Sequence, residues 1–229
     1  MKTRICILFF FISLVSCTSD NLVKKEREDF YGIFRNVVKH NLSSVTKNTP
    51  SKRVKKTRLW LSKFKQPVIL ISSIDDKNQA TLVALGNNEE KLTWVSADGI
   101  SLTYDEGILI ATRGYSQDLF SLQYKSPKDL FMAGAQSYNK VHRYLNGENR
   151  YNDITFRCTA RKTPSKTIEI LDYTIAVDKF IEECRSKRHT YKNEYDLLAG
   201  TNIVIVSKQW ISPANQSFLT YNLYAFQKS

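Results

Sequence analysis

Four cysteines carry the sharpest chemistry in this 229-residue chain, and their surroundings assign them different tasks. Cys17 follows Leu14-Val15-Ser16 at the end of an apolar run, Ile5 to Val15, which itself follows the positive start Met1-Lys-Thr-Arg4. A charged start, a short apolar run and a small residue at the junction read as a secretory signal, since a membrane-spanning helix needs about twenty apolar residues. The tetrapeptide ending at Cys17 also looks like a lipobox, in which the cysteine thiol takes a diacylglyceryl group and the peptide is cut just before it. An ordinary signal peptide with an incidental cysteine is the plainer alternative. Thr18 and not Asp comes next, and lipoproteins of this look are usually passed on to the outer membrane. Cys6 leaves with the signal, so Cys158 and Cys184 remain. In an oxidising compartment that leftover pair reads as a disulfide worth about 2–4 kcal/mol, with two buried free thiols as the alternative. His40, His142 and His189 show no metal-ligand spacing, so neither a metal nor a cofactor is expected.

Hydrolytic chemistry needs a constellation, and the familiar ones do not occur. The chain has no Gly-x-Ser-x-Gly elbow, no His-Glu-x-x-His and no glycine-rich phosphate loop. A glycosidase needs only two carboxylates across one cleft, for which Asp98 and Asp118 are the candidates. Each has a simpler reading: Asp98 shapes a turn, and Asp118 caps the segment after Ser116. Trp94, Tyr115 and Trp210, with Arg113 and Gln209 beside them in sequence, are the candidate binding residues, because aromatic faces offer sugar rings a broad apolar contact. Core packing is the competing role for aromatic residues in strands.

These residues sit on elements with a strand period. Leu92 to Val95 and Ile100 to Thr103 alternate around Asp98-Gly99, which predicts a hairpin closed by a type I′ turn. Leu92, Trp94, Ile100 and Leu102 then face inward, with Thr93, Ser101 and Thr103 outward. A second turn at Asp105-Glu106-Gly107 and a third run, Ile108 to Ala111, extend this to a meander. Pro67 to Ser72 and Ala80 to Leu85 read as strands before it. Asn152 to Lys162, Thr167 to Ala176, Val177 to Glu183, Thr190 to Leu197, Thr201 to Trp210 and Ser217 to Phe226 read as strands after it. Ser126-Pro127-Lys128-Asp129 has the form of a helix start, leading to a short helix or irregular crossing through Gly134. The fold class predicted is mainly β: an antiparallel meander forming a barrel-like or strongly curved sheet, which buries the strands and limits exposed edges. An amphipathic helix over Asp29 to Val45 is expected ahead of it, with Phe30, Ile33, Phe34, Val37, Val38 and Leu42 on one stripe.

Several motifs, in order, resemble one family. They are Trp94-Val-Ser-Ala-Asp-Gly99, Ala111-Thr-Arg-Gly114 with Asp118-Leu119, Glu183-Cys184, Tyr191-Lys-Asn-Glu-Tyr195, and Ser207-Lys-Gln-Trp-Ile-Ser-Pro213. Together they resemble the YjbF/GfcB family of group 4 capsule lipoproteins. Gly114-Tyr115 stands where that family usually has Gly-Leu, a departure that touches packing. The resemblance implies a β-barrel-like sheet in an outer-membrane-anchored, periplasm-facing lipoprotein that acts as accessory to exopolysaccharide or group 4 capsule secretion beside an outer-membrane β-barrel protein. The alternatives are a periplasmic, glycosidase-like enzyme acting on the polysaccharide and a purely structural envelope protein.

The expected organisation is a signal peptide over 1–16, a lipid-anchored basic arm over 17–65 and a β domain over 66–229. The formal charge of +12 falls to +10 without Lys2 and Arg4, and the remaining excess lies almost wholly in residues 24–65. Such a run near an anchor suits anionic lipid headgroups, where each cation is worth about 1 kcal/mol, or an acidic polysaccharide. A solvated charge run without a partner is the third reading. Basic residues interleaved with Trp60 and Phe64 also suit nucleic acid, but export makes that an improper partner.

Overall fold

The structure is a computed structural model that describes residues 57–74, 78–88, 91–124, 131, 137–145, 148 and 150–227. Cys17, the expected helix over Asp29 to Val45 and the arm before residue 57 lie outside these residues. So does nearly all of the expected helix after Ser126. The described residues belong to one unit, Val54–Ser229.

Twelve strands form one sheet, every ladder antiparallel: β1 (Val68–Ser72), β2 (Gln79–Asn88), β3 (Lys91–Val95), β4 (Ser101–Asp105), β5 (Ile108–Arg113), β6 (Asp118–Gln123), β7 (Ser137–Leu145), β8 (Tyr151–Ile170), β9 (Tyr173–Arg185), β10 (Thr190–Leu198), β11 (Val204–Ser212) and β12 (Gln216–Tyr221). The spatial order is β5-β4-β3-β2-β1-β12-β11-β10-β9-β8-β7-β6. Each strand therefore lies beside its sequence neighbour, and β12 returns to pair with β1 through Leu70↔Tyr221. The sheet is a nearly closed, barrel-shaped up-and-down meander, as predicted, in which only β5 and β6 lack a ladder.

Side chains complete that seam. The Thr112 hydroxyl accepts the Leu119 N–H (2.9 Å) and donates to Asp118 Oδ1 (3.0 Å), while the Arg113 guanidinium donates across to the Leu119 carbonyl (3.2 Å). Arg113 also lies over the Phe120 ring at 5.0 Å. An edge that would otherwise offer unpaired backbone groups is thus covered by its own neighbours.

The first hairpin closes differently from the expected type I′ turn. Gly99 N–H bonds the Ser96 carbonyl and Ser96 N–H bonds the Ile100 carbonyl, with positive φ at Gly99 (88°) but not at Asp98. This is a three-residue loop with a glycine bulge. The Ser96 hydroxyl, which bonds the Asp98 carboxylate and receives the Ile100 N–H, takes up the polar groups that a two-residue turn would have paired. Ile100 consequently falls out of the strand, and the inward pairs are Trp94↔Leu102 and Leu92↔Tyr104. Thr93 and Thr103 face outward as expected and share a 3.0 Å hydrogen bond. Within the meander it is the next turn that has two positive φ values, at Glu106 (45°) and Gly107 (92°). Gly107 is required there on a second count, since a Cβ would stand 2.6 Å from Val204 Cβ.

Three further boundaries shift. Thr167 to Ala176 is not a strand: β8 runs on through Ile170, and the chain reverses at Leu171 and Asp172, both at positive φ. Pro164 does not end β8 because it sits in a bulge between Thr163 and Lys166, where no ladder bond is required of it. Strand β12 stops at Tyr221, and Leu223–Phe226 forms a 3-10 turn in place of the strand expected through Phe226. Strands β6 and β7 were not expected at all.

The chain enters at one end of the barrel. A short helix, α1 (Arg58–Leu61), is capped by Thr57 Oγ1 receiving the Trp60 N–H. Gln227 then ties this entry to the C-terminus, accepting from Val68 N–H and donating to the Phe64 and Gln66 carbonyls. At the same end the β8–β9 tip packs Tyr173 against Phe226 (5.7 Å), under Arg58 at 4.7 Å.

Candidate functional site

A circuit of twelve strands encloses more space than the eight whose side chains just fill a small barrel. Apolar residues occupy part of it: Ile69, Leu82, Trp94, Leu102, Ile211 and Phe218 form one cluster, and Ile108, Phe131, Phe180, Leu197 and Val204 another. Long polar side chains occupy the rest. Lys140 on β7 and Glu182 on β9, 1 % and 0 % exposed, form an ion pair of 2.6 Å. Tyr138 donates to the same carboxylate oxygen, while Asn193 Nδ2 donates to the other at 2.8 Å. The Tyr195 hydroxyl lies 3.3 Å from that second oxygen and 3.4 Å from Gln209 Oε1. Gln209 then crosses the interior from β11 to β5, accepting the Leu109 N–H and donating to the Gly107 carbonyl, both at 2.8 Å. Burial, and next to it the Glu182 charge, raises the Tyr195 and Tyr191 hydroxyls well above their ordinary range, so both remain neutral donors.

The Asn193 side-chain Oδ1 accepts the Trp210 backbone N–H at 2.8 Å, substituting for a rung of the β10–β11 ladder, whose Cα pairing stops at Glu194↔Lys208. Trp210, half-buried there, stacks on Tyr191 at 4.6 Å and meets Phe156, His142 and Tyr144 edge-on. His142 is held between two hydroxyls, Tyr144 at Nδ1 (3.1 Å) and Tyr191 at Nε2 (2.9 Å). The Tyr144 proton is committed to the Ile211 carbonyl, so Nδ1 carries the imidazole proton and Nε2 accepts from Tyr191. Burial, and then the Lys140 charge, lowers the His142 pKa well below 6.5.

That depression carries a sign. Below about pH 6.5 the unfolded imidazole binds a proton that the folded one refuses, so stability is complete above that pH and declines as pH falls. The expected slope between pH 6.5 and 5 is up to about 1.4 kcal/mol per pH unit. Urea titrations at several pH values check it, with His142→Gln expected to flatten the slope; equal slopes in both proteins would contradict the assignment.

The residues singled out from sequence do not converge on one surface. Trp94 is 3 % exposed in the first apolar cluster, with the half-buried Tyr115 packed against it, whereas Trp210 belongs to the aromatic group around the cysteines. Gln209, at 2 % exposure, is an internal strut. Arg113 clasps the seam. The Asp118 carboxylate accepts the Gly114 and Tyr115 N–H groups at 3.1 Å, fixing the turn that precedes it and not a segment after Ser116. Burial, with the charges of Asp98 and Asp118 beside it, pushes the Tyr115 hydroxyl up to about 12. Cys158 and Cys184 face each other across β8 and β9 (Cα–Cα 4.1 Å) and are joined as a disulfide. Glu182 comes within 4.8 Å of both sulfurs, but a disulfide has no thiolate to give a metal ion.

Sequence reading passed over Lys140 and Glu182, and took in Asn193 and Tyr195 only as part of the family motif Tyr191 to Tyr195, with no role for either side chain. The available signal was register: Glu182 lies between Phe180 and Cys184 on the inward face of β9, where a charged residue needs a buried partner.

Fold and interior together define a class: a nearly closed up-and-down barrel of twelve strands, with a charged, hydrogen-bonded bridge where a smaller barrel would be apolar or hold a ligand. The sequence matches the family model described as group 4 capsule polysaccharide lipoprotein gfcB, YjbF, over residues 34–221, and the chain belongs to that family. Among solved structures it is similar to the hypothetical lipoprotein YmcC from Escherichia coli (K12), at 14 % identity and a TM-score of 0.63, covering 74 % of this chain and 88 % of that one. At that identity the likeness concerns the fold. No curated protein matches the sequence.

Proposed function

We propose that this protein is a lipid-anchored, periplasm-facing accessory of capsule or exopolysaccharide secretion, held at the outer membrane through Cys17 and working beside an outer-membrane β-barrel protein without acting on the polymer as an enzyme. The observation that carries the reading is the family match across residues 34–221. The carboxylates that an enzyme reading would recruit are engaged elsewhere: Asp98 and Asp118 in turns, Glu182 with Lys140. An anchor confines the domain to the membrane surface, which raises its effective concentration for a membrane partner and lets a weak interface stay occupied.

Anchoring is tested by labelled palmitate and envelope fractionation of the parent and Cys17→Ser. The parent is expected to carry label and to fractionate with the outer membrane in high salt, because acyl burial and not charge holds it. The variant is expected to be unlabelled and released. Identical behaviour of the two would refute the anchor.

A further inference from the structure

Most cations on the outer face of the β7–β10 wall are matched to carboxylates. Arg143 pairs with Asp153, Lys162 with Asp178, Lys166 with Asp196, and Lys179 and Lys192 with Glu194. Arg161 on β8 and a group where β9 ends depart from this pattern. Arg157 and Arg185 stand directly opposite each other on the two strands, and Lys187 and Arg188 occupy the tip of the turn that follows. All four are exposed, and among the described residues none has a carboxylate in ion-pair range. Glu183, on the adjoining outer row, faces Thr159 and Lys192.

Like charges directly opposite on neighbouring strands destabilise a sheet. The turn adds to that cost without a backbone reason. A two-residue hairpin loop favours Asn-Gly or a similar pair, yet this one carries Lys187-Arg188, neither at positive φ. Ser186 keeps it closed, its N–H and hydroxyl bonding the His189 carbonyl and its hydroxyl receiving the His189 N–H at 3.0 Å. Two adjacent cations are therefore held outward on a fixed turn, beside two more on the strands. Arg157 is itself oriented, its Nε donating to Ser137 Oγ at 2.7 Å.

We infer that Arg157, Arg185, Lys187 and Arg188 form a binding surface for an acidic polysaccharide chain. The inference rests on the proposed role in polymer secretion and deepens it by naming the contact and the charge of the polymer. The cations extend from the β8–β9 rung Arg157↔Arg185 to the β9–β10 turn at Lys187-Arg188, a row that suits a chain bearing carboxylates at intervals better than a single phosphate. They also lie at the barrel end opposite the one where α1 leads into β1 and the C-terminal turn packs, the end nearest the N-terminal arm in sequence.

The test uses the full chain in detergent and polygalacturonate as probe, with dextran as the neutral control and phosphatidylglycerol vesicles as the lipid control. Arg185→Gln/Lys187→Gln/Arg188→Gln is compared with Lys52→Gln/Arg53→Gln/Lys55→Gln, which removes the same charge from the basic arm. The parent is expected to bind polygalacturonate and not dextran. The turn variant should bind about tenfold or more weakly, with a shallower salt dependence, and the arm variant much less affected. Undiminished binding by a turn variant that melts like the parent would overturn the inference, as would a parent that binds the vesicles and not polygalacturonate. Complementation separates the two claims: if deletion abolishes surface polymer but the turn variant restores it fully, the surface is wrong and the secretion role stands. If deletion leaves surface polymer unchanged, the role itself is wrong.

Discussion

Lys140→Met is expected to cost the β domain about 3–5 kcal/mol, because it leaves the Glu182 carboxylate buried at 0 % exposure without its cation. Tyr138, Asn193 and Tyr195 would still surround Glu182, but neutral donors do not replace a full charge in a site closed to water. Lys140→Met/Glu182→Gln should recover much of the loss, since an amide can accept from Tyr138 without a charge to compensate. Chemical denaturation of parent, single and double variants measures both effects. A single variant as stable as the parent would mean that the ion pair contributes nothing to this interior.

The second large effect is expected at Cys158–Cys184. The bridge spans 26 residues and ties β8 to β9 beside Phe156 and Tyr191, so Cys158→Ala/Cys184→Ala should lose about 2–4 kcal/mol. Reductant should lower the melting temperature of the parent and leave that of the double variant unchanged. Two thiols reacting without reductant in the unfolded mature protein, from which Cys6 is cleaved and in which Cys17 carries lipid, would contradict the bridge.

Strand alternation made the barrel-like class legible, and Cys158 and Cys184 made the disulfide so, because both depend on residue type and local period. Strand β7 was not legible for a physical reason. Its inward face is Tyr138, Lys140, His142 and Tyr144, so the polarity that normally separates inside from outside is lost where the interior is itself polar. The β8–β9 reversal was hidden by Leu171, an apolar residue at positive φ where glycine or asparagine would have announced a turn. Residues far apart in sequence also formed the interior bridge: Lys140 and Glu182 meet only because β7 and β9 flank β8, and Gln209 reaches β5 only because the sheet closes. The aromatic candidates failed to gather for the related reason that Trp94 and Trp210 belong to separate clusters of one wide barrel.

The most direct test of the secretory account is the amount and structure of surface polysaccharide in a deletion strain complemented with the parent, Asp98→Asn or Asp118→Asn, each checked for folding and membrane delivery. The account predicts that deletion blocks delivery of the polymer to the surface without altering its structure, and that both carboxylate variants restore delivery in full. Lost delivery with both variants in a folded, membrane-delivered protein, or a purified chain that shortens the polymer by itself, would contradict it.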